Sequence, residues 1–318
     1  MLAAVAGLAT AACRTASPAP PDAGPTTAPA PAAAGGSAWE PPRILGTVAD
    51  PALTEGSGLA ASRTNPGLLW AHNDSGDGPF VYCLQPTGAA CGTWRVTGAE
   101  ARDWEDMAAG PGPEAGRSYL YLGDIGDNAR GRPDVTVYRV PEPAVTPAAT
   151  GSTREGAGAT EPAEALRLRY PDGPHDAEAL LVHPATGDLY IVAKEPSADP
   201  PVYRARAPLA PGPPAVLERV AGLRLPAAVA RLELVTGGDI APDGRRLVLA
   251  TYTAGYELTL PEGAAAFDDI WTLPPVRLAL APRRQGEAIA YRLDGAAVLT
   301  ISEGAGEPIA EVARVPSA

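Results

Sequence analysis

The chain has 318 residues, a formal net charge of −12, and 37 Pro and 35 Gly against only 2 Phe. So many turn-forming residues among short apolar runs favour an all-β protein over a helical one. The acidic balance argues against a nucleic-acid-binding protein, because phosphate contacts need clustered Lys and Arg.

The chain begins with a short apolar segment, residues 1–12, in which small residues precede Cys13. This order is typical of a bacterial lipoprotein signal, although no Lys or Arg precedes the apolar run and Thr10 stands where Leu is usual. We expect an exported protein held at the outer side of the membrane by a lipid on Cys13, with ordinary secretion as the alternative. Residues 13–42 are rich in Ala and Pro, which predicts an extended tether.

Two further cysteines, Cys83 and Cys91, flank a Pro-Thr-Gly turn signal at residues 86–88. Two strands joined by such a turn would bring these cysteines face to face. We therefore predict a disulfide, which is stable only in an oxidising compartment outside the cytoplasm.

A degenerate motif recurs along the chain, and each copy opens a short strand-like run. The copies begin at Glu55, Asp103, Asp176, Thr236 and Gln285. Their spacing of roughly 50 to 75 residues is typical of a blade repeat with variable loops. We predict an all-β, five-bladed β-propeller over residues 43–318. A six-bladed propeller, obtained by splitting a longer unit, and a decorated β-sandwich are the alternatives.

Each of the first four units supplies four predicted strands, the first of which lies innermost in a propeller. They are 58–62, 68–72, 80–84 and 93–97; 105–108, 119–122, 136–140 and 165–169; 179–182, 189–193, 202–205 and 216–220; 239–241, 246–251, 256–260 and 276–280. The last unit has only 287–292, 297–301 and 309–315, so we expect the lone strand 44–48 to complete it and close the ring. We expect the insertion 144–162 to be mobile and residues 263–271 to form one short helix.

Acidic residues recur at two positions of the motif, and residues two apart on a strand point the same way. One layer is Glu55, Asp103, Asp176, Thr236 and Gln285, and the next is Ser57, Glu105, Glu178, Gly238 and Glu287. Clustered carboxylates repel unless a cation lies among them, and oxygen-only clusters suit Ca²⁺. We predict calcium ligands among Glu55, Asp103, Glu105, Asp176, Glu178 and Glu287. Neutralisation by Arg and Lys, or capping of backbone N–H groups, is the alternative. Asp106 alternates in direction with these acids, so we expect it to serve its blade.

The ends of the predicted second strands add polar groups to the same face. The predicted ligand-binding residues there are His72, Asp74, Asp124, Asp127, Lys194, Tyr252 and Glu303. His72 could act as an acid, a base or a phosphate contact. The run 73–78 superficially resembles a calcium loop, but Leu84 stands at its twelfth position, so we interpret it as a turn that presents Asp74. The sequence has no Gly-x-Ser-x-Gly or P-loop motif, which argues against hydrolases and NTPases of those types.

Four motifs together carry a family resemblance: His-Asn-Asp-Ser-Gly at 72–76, Asp-Trp-Glu-Asp at 103–106, Gly-Asp-Ile-Gly-Asp-Asn at 123–128 and Gln-Gly-Glu-Ala-Ile at 285–289. From about residue 43 onward, the chain resembles a family of exported bacterial β-propellers, often from actinobacteria. More distantly it is similar to phytase-like phosphoesterases, calcium-dependent nucleotidases and SdiA-regulated propellers. The resemblance implies the fold and favours central calcium, but a fold does not transfer an activity.

We therefore expect a monomeric, lipid-anchored propeller that binds a small-molecule or protein ligand together with Ca²⁺, with no nucleic-acid partner and no membrane contact beyond the lipid. One alternative is a metal-dependent phosphoesterase or lactonase whose metal is held by Glu105, Glu178 and Glu287. Another is a protein-interaction platform in the cell envelope.

Overall fold

The computed structural model describes residues 38–146, 154–197, 199–226 and 234–315. The predicted signal, the lipidation site Cys13 and the predicted tether up to residue 37 lie outside these ranges, so those expectations stay predictions. Among the residues that the structure describes, no helix is both long and apolar enough to span a membrane.

Five sheets of four or five strands make up the described part of the chain. Arg43–Thr47 (β1) comes first and joins the last sheet. Blade 1 consists of Gly56–Ala61 (β2), Leu69–Asn73 (β3), Phe80–Leu84 (β4) and Ala90–Arg95 (β5). Blade 2 consists of Trp104–Pro111 (β6), Ser118–Asp124 (β7), Val135–Pro141 (β8) and Glu164–Arg169 (β10). The short strand Gly158–Ala159 (β9) lies between β8 and β10 in the sequence but belongs to the sheet of blade 1.

The remaining three blades repeat this order. Blade 3 consists of Ala177–Val182 (β11), Leu189–Ala193 (β12), Pro201–Ala205 (β13) and Glu218–Gly222 (β15). The short strand Ala215–Val216 (β14) lies between β13 and β15 in the sequence but belongs to the sheet of blade 2. Blade 4 consists of Val235–Ile240 (β16), Arg246–Thr251 (β17), Ala254–Thr259 (β18) and Val276–Ala279 (β19). Blade 5 consists of Gly286–Tyr291 (β20), Ala297–Ser302 (β21), Pro308–Ala313 (β22) and β1.

The blades form a closed ring. The innermost strands β2, β6, β11, β16 and β20 each pack against the next, and β20 packs against β2. Strand β1 pairs antiparallel with β22, so the two ends of the described chain share one sheet and leave no open blade. The predicted five-bladed propeller and its closure by the N-terminal strand are confirmed, and the six-bladed and sandwich alternatives are wrong.

Four local features differ from the sequence-based expectation. Ordered structure begins ahead of residue 43, because the Trp39 indole is only 4% exposed and the Glu40 amide donates to Ala313 O at 2.8 Å. The described end of the insertion expected to be mobile, residues 154–162, supplies β9, which extends blade 1 in parallel with β5. Residues 147–153 of that insertion lie outside the described ranges. The short helix is a 3-10 helix, Phe267–Thr272. Strand β14 pairs in parallel with β10 at the edge of blade 2.

Apolar side chains fill the space between neighbouring blades, and the indole N–H of Trp70 is hydrogen-bonded there. Trp70 is fully buried and its Nε1 donates to Glu142 Oε1 at 2.8 Å. The same buried carboxylate accepts the Thr64 amide at 3.0 Å, so a residue after β8 caps a turn of blade 1. Cys83 and Cys91 form the predicted disulfide across the β4–β5 hairpin, with their Cα atoms 5.1 Å apart.

The innermost strand of every blade contains an irregularity in its pairing with the second strand. The extra residues are Ser57, Glu105, Glu178, Thr236 and the pair Glu287 and Ala288. A bulge interrupts the strict alternation of side chains along a strand. The side chains of consecutive residues such as Glu105 and Asp106 can therefore both point toward the centre of the ring.

Asp106 joins three innermost strands through its carboxylate. It is completely buried, and its Oδ2 accepts the Leu180 amide at 3.0 Å and the Gly238 amide at 3.1 Å. Burial raises the pKa of Asp106 well above its usual value, and the backbone donors oppose that rise. Asp239 occupies the same position in blade 4 and accepts the Tyr291 amide at 2.8 Å. Asp106 thus links blades 2, 3 and 4 and does not serve its own blade alone.

Replacement of Asp106 by Ala should lower the free energy of unfolding by roughly 2–5 kcal/mol, because each buried N–H left without an acceptor costs about 1–3 kcal/mol. Asp106→Asn retains one oxygen for the Leu180 and Gly238 amides and should lose less. Urea unfolding measures both variants, with exposed Glu262→Ala as the control. A loss below about 0.5 kcal/mol in Asp106→Ala, the usual range for surface substitutions, would show that the link between blades is unimportant.

Candidate functional site

The starts of the innermost strands and the ends of the second strands lie at the same end of the channel. Trp104 at the start of β6 pairs with Asp124 at the end of β7, and Gly286 pairs with Ser302 in the same way. This end, with the loops beside it, is called the acidic face below. The predicted calcium-ligand and ligand-binding residues lie at this end of the channel, with His72 buried beneath it.

Three carboxylates from two blades converge on the acidic face. Asp74 follows β3, Asp103 precedes β6 and Glu105 is the bulge residue of β6; one oxygen from each lies within 4.8 Å of the other two. Glu105 is only 4% exposed, whereas Asp74 and Asp103 are half-buried. The sequence predicted Asp103 and Glu105 as metal ligands and Asp74 as a ligand-binding residue, so the structure joins members of both sets.

The backbone of the β7–β8 connection lies directly against this group. A Cβ atom at Gly126 would be 2.0 Å from Glu105 Oε1 and 2.5 Å from Asp103 Oδ2, so a larger residue at this position would displace these carboxylates. The Gly126 amide donates to Asp103 O at 3.2 Å. The loop that carries Gly126 is therefore packed against the carboxylates.

Burial and mutual repulsion make ionisation of the group unfavourable. Burial, with repulsion from Glu287 and Asp103, raises the pKa of Asp74 to about 6. Burial and the nearby Asp176 raise the pKa of Asp103. Burial raises the pKa of Glu105 strongly, and repulsion from Asp74 and Asp103 adds to the rise. Such shifts are typical of carboxylates that a proton or a cation must neutralise.

Blade 5 contributes a second pair of acids. Glu287 is 3% exposed and accepts hydrogen bonds from Gln285 Nε2 at 2.9 Å and from Ser57 Oγ at 3.0 Å. Burial and a hydrogen bond with Glu287 raise the pKa of Glu303 to about 8, so this pair retains a proton near neutral pH. Glu55 is exposed and reaches Glu303 through a backbone bridge.

Blades 3 and 4 bring positive and aromatic groups to the acidic face. Lys194 Nζ contacts Glu178 Oε1 and lies 5.4 Å from the centroid of the Tyr252 ring. Glu178 is 5% exposed, and its Oε2 has no hydrogen-bond partner in the part of the chain that the structure describes. One oxygen of Glu178 is therefore paired with Lys194, and the other oxygen is free to accept a hydrogen bond or to bind a cation.

Three of the predicted residues hold the β7–β8 connection in place. Asp124 Oδ1 accepts Arg132 Nη1 at 2.7 Å in a buried ion pair. Asp127 accepts the amides of Gly131 and Arg132 at 2.9 and 2.7 Å, and Asp176 accepts the Asp127 amide at 2.9 Å. These carboxylates fix the loop that positions Gly126, which is the capping role considered for the acids.

His72 lies beneath the face and not on it. Its side chain is fully buried, edge-on to Trp104 with ring centroids 5.4 Å apart, and burial lowers its pKa. Its Nδ1 is 2.7 Å from Asn73 O. The structure thus places His72 in the packing between blades 1 and 2.

Sequence reasoning missed two residues of the face. Gly126 stands inside the motif at 123–128, where a glycine between acids signals a close approach of the backbone. Arg283 precedes the motif at 285–289 and packs against Gly286, where a Cβ atom would be 2.2 Å from Arg283 Cζ. The absence of a side chain at Gly286 is the signal that a neighbour fills this space.

No protein-family model and no curated protein matches the sequence. The fold is similar to the apo-form of the soluble aldose sugar dehydrogenase from Escherichia coli, with 10% identity, a TM-score of 0.41, and coverage of 86% of this chain and 99% of that one. It is similar to U3-55K, with 12% identity, a TM-score of 0.36, and coverage of 81% and 67%. It is also similar to a protein from Bacteroides uniformis described as a 6-phosphogluconolactonase, with 18% identity, a TM-score of 0.39, and coverage of 82% and 68%. Likenesses at this level carry no inference about activity.

The raised pKa of Glu303 predicts a pH-dependent stability in metal-free protein. The folded state holds this proton up to about pH 8, whereas the unfolded chain releases it near its usual pKa of about 4.3. The folded state therefore binds more protons between these values, and stability falls as pH rises through them. In chelator, Glu303→Gln should become progressively more stable relative to wild type from pH 5 to pH 9.

Thermal unfolding at several pH values measures this difference, with exposed Glu262→Gln as the control. A constant difference in Tm across the range would mean that Glu303 ionises normally in the folded protein.

Proposed function

We propose that this protein is an exported, lipid-anchored β-propeller that binds a ligand together with a calcium ion on its acidic face. The observation that carries the proposal is the group Asp74, Asp103 and Glu105, in which three carboxylates from two blades are held together although burial and repulsion oppose their charge. Folding tolerates such a group when a bound cation offsets the repulsion.

The donor set fits Ca²⁺. Oxygens that share one calcium ion at about 2.4 Å can be no more than about 4.8 Å apart, and the three carboxylates meet that limit with a separation of 4.8 Å or less. All the donors are hard oxygen ligands, which suit Ca²⁺ better than Zn²⁺.

Each residue of the face then has a defined task. Asp74, Asp103 and Glu105 would hold the ion, whose charge would favour the ionised form of Glu105. The Gly126 backbone packs behind the carboxylates and prevents them from turning away. Calcium takes 6 to 8 oxygen ligands, so three carboxylates leave positions for the oxygen atoms of a ligand.

A metal-dependent phosphoesterase or lactonase is the second candidate function. The Glu287–Glu303 pair favours it, because a carboxyl pair that holds one proton near neutral pH can serve as an acid or a base beside a metal. Generic phosphoester and lactone substrates, with and without calcium, separate the two functions. Calcium-dependent turnover that Glu303→Gln reduces by 100-fold or more would favour the enzyme, and absence of turnover would favour the binding protein.

Calcium should stabilise the chelated protein. A ligand present at 100 times its Kd adds about 2.7 kcal/mol to the free energy of unfolding, which corresponds to a rise of several degrees in Tm. Asp103→Asn should remove most of this rise, whereas Asp294→Asn, an exposed residue in the β20–β21 turn at the other end of the channel, should retain it. Unchanged Tm in millimolar calcium would refute the metal site.

Steric occlusion offers a test that leaves every carboxylate in place. Gly126→Ala should weaken calcium binding by at least tenfold, because the added methyl group displaces Glu105 and Asp103. Gly131→Ala, in the same loop, is the matched control, since a Cβ atom there meets no atom within 4 Å. Isothermal titration calorimetry measures both Kd values; equal affinities would place the ion elsewhere.

A further inference from the structure

A guanidinium group with one unpaired nitrogen lies beside the acidic face. Arg283 stands on the connection between blades 4 and 5, and its Nη2 donates to a backbone carbonyl, Thr251 O, at 3.0 Å. Its Nη1 is buried and has no hydrogen-bond partner among the residues that the structure describes. A buried N–H group of this kind requires an acceptor.

The lowered pKa of Arg283 also indicates that its guanidinium has too few polar partners. Burial lowers the pKa of Arg283 to about 10, and the attraction of Glu287 opposes this shift only in part. Glu287 accepts hydrogen bonds from Gln285 and Ser57, and it attracts Arg283 without satisfying the Nη1 group of that side chain. Arg283 is therefore a cation whose surroundings do not supply the oxygen acceptors that a guanidinium ordinarily finds.

Arg283 lies on the part of the face that also carries Lys194. Thr251, which accepts its hydrogen bond, is followed by Tyr252, and the Tyr252 ring lies under Lys194 Nζ. These groups come from blade 3, blade 4 and the connection to blade 5, whereas Asp74, Asp103 and Glu105 come from blades 1 and 2. The cations of the face thus come from blades 3 to 5, where Glu178 and Glu287 also lie, and the three clustered carboxylates come from blades 1 and 2.

We propose that Arg283 and Lys194 form a subsite for an oxyanion, a carboxylate or phosphate group, on the ligand that the acidic face binds. The guanidinium supplies directional N–H donors, and the ammonium supplies a point charge. The inference rests on the proposed calcium site, because the nearby carboxylates repel an oxyanion unless a cation offsets their charge. Binding of the oxyanion must therefore depend on calcium.

Calorimetric titration of the full-length protein with methyl phosphate and with acetate, each with and without calcium, tests this subsite. At least one probe should bind in calcium and bind at least tenfold more weakly in chelator. The tighter of the two probes identifies the oxyanion. Arg283→Gln should weaken the same probe at least tenfold without changing the calcium Kd. Arg284→Gln, whose side chain is 83% exposed, is the matched control and should behave like wild type.

The outcomes separate this inference from the proposed function. Calcium binding without binding of either probe, or equal probe affinity in wild type and Arg283→Gln, overturns the subsite and leaves the calcium site standing. Failure of calcium itself to bind overturns the proposed function. Arg283→Lys is a second variant that keeps the positive charge beside Gly286 and so separates loss of charge from a folding defect. If the subsite exists, Arg283→Lys must bind the probe more tightly than Arg283→Gln does.

Discussion

The structure depends on how the propeller neutralises carboxylates that the closed ring forces together. Buried charge is costly unless it is paired or hydrogen-bonded, and the chain satisfies this requirement in several ways. Asp106 and Asp239 accept backbone amides of neighbouring blades. Asp124 pairs with Arg132, and Glu178 contacts Lys194. Asp74, Asp103 and Glu105 lie within 4.8 Å of one another, and the attraction of Arg132 for Asp103 and of Lys194 for Glu105 does not prevent their pKa values from rising. We therefore place the proposed cation among these three acids.

The bulges in the innermost strands explain how acids with different tasks can be adjacent in sequence. Glu105 and Asp106 are neighbours, yet one belongs to the carboxylate group on the acidic face and the other links inner strands within the ring. Strict alternation would send one of them away from the centre. The extra residue in β6 lets both side chains face inward. A single strand therefore supplies a candidate metal ligand, Glu105, and a carboxylate that links inner strands, Asp106. The equivalent Asp239 makes a similar link from blade 4 to blade 5, whereas the other three repeats have Gly58, Ala179 and Ala288 at this position.

The sequence predicted the architecture well because the signals are local and repeated. Turn residues between short apolar runs indicated the strands, and one missing strand in the last unit indicated closure by residues 44–48. The site was harder to predict from the sequence, because it depends on contacts between blades. Spacing alone grouped Glu105 with Glu178 and Glu287, whereas the structure groups it with Asp74, which arrives from the β3–β4 connection of another blade. The same limit hid the burial of His72, since Trp104, which packs on it, lies in blade 2.

Close packing of the innermost strands also determines from which side a ligand can reach the site. A Cβ atom at Gly237 would lie 2.4 Å from Glu287 O, so β16 and β20 approach each other as closely as glycine permits. Asp106 reaches the inner strands of two other blades from the same central region. A ligand that binds the carboxylate group must therefore approach from the acidic face, where the loops after the second strands surround it. Those loops carry Asp74 on one side and Lys194 with Tyr252 on the other, so one approaching molecule meets both charge signs. That arrangement favours a ligand that would coordinate the proposed calcium ion through one group and present a negative group to Arg283.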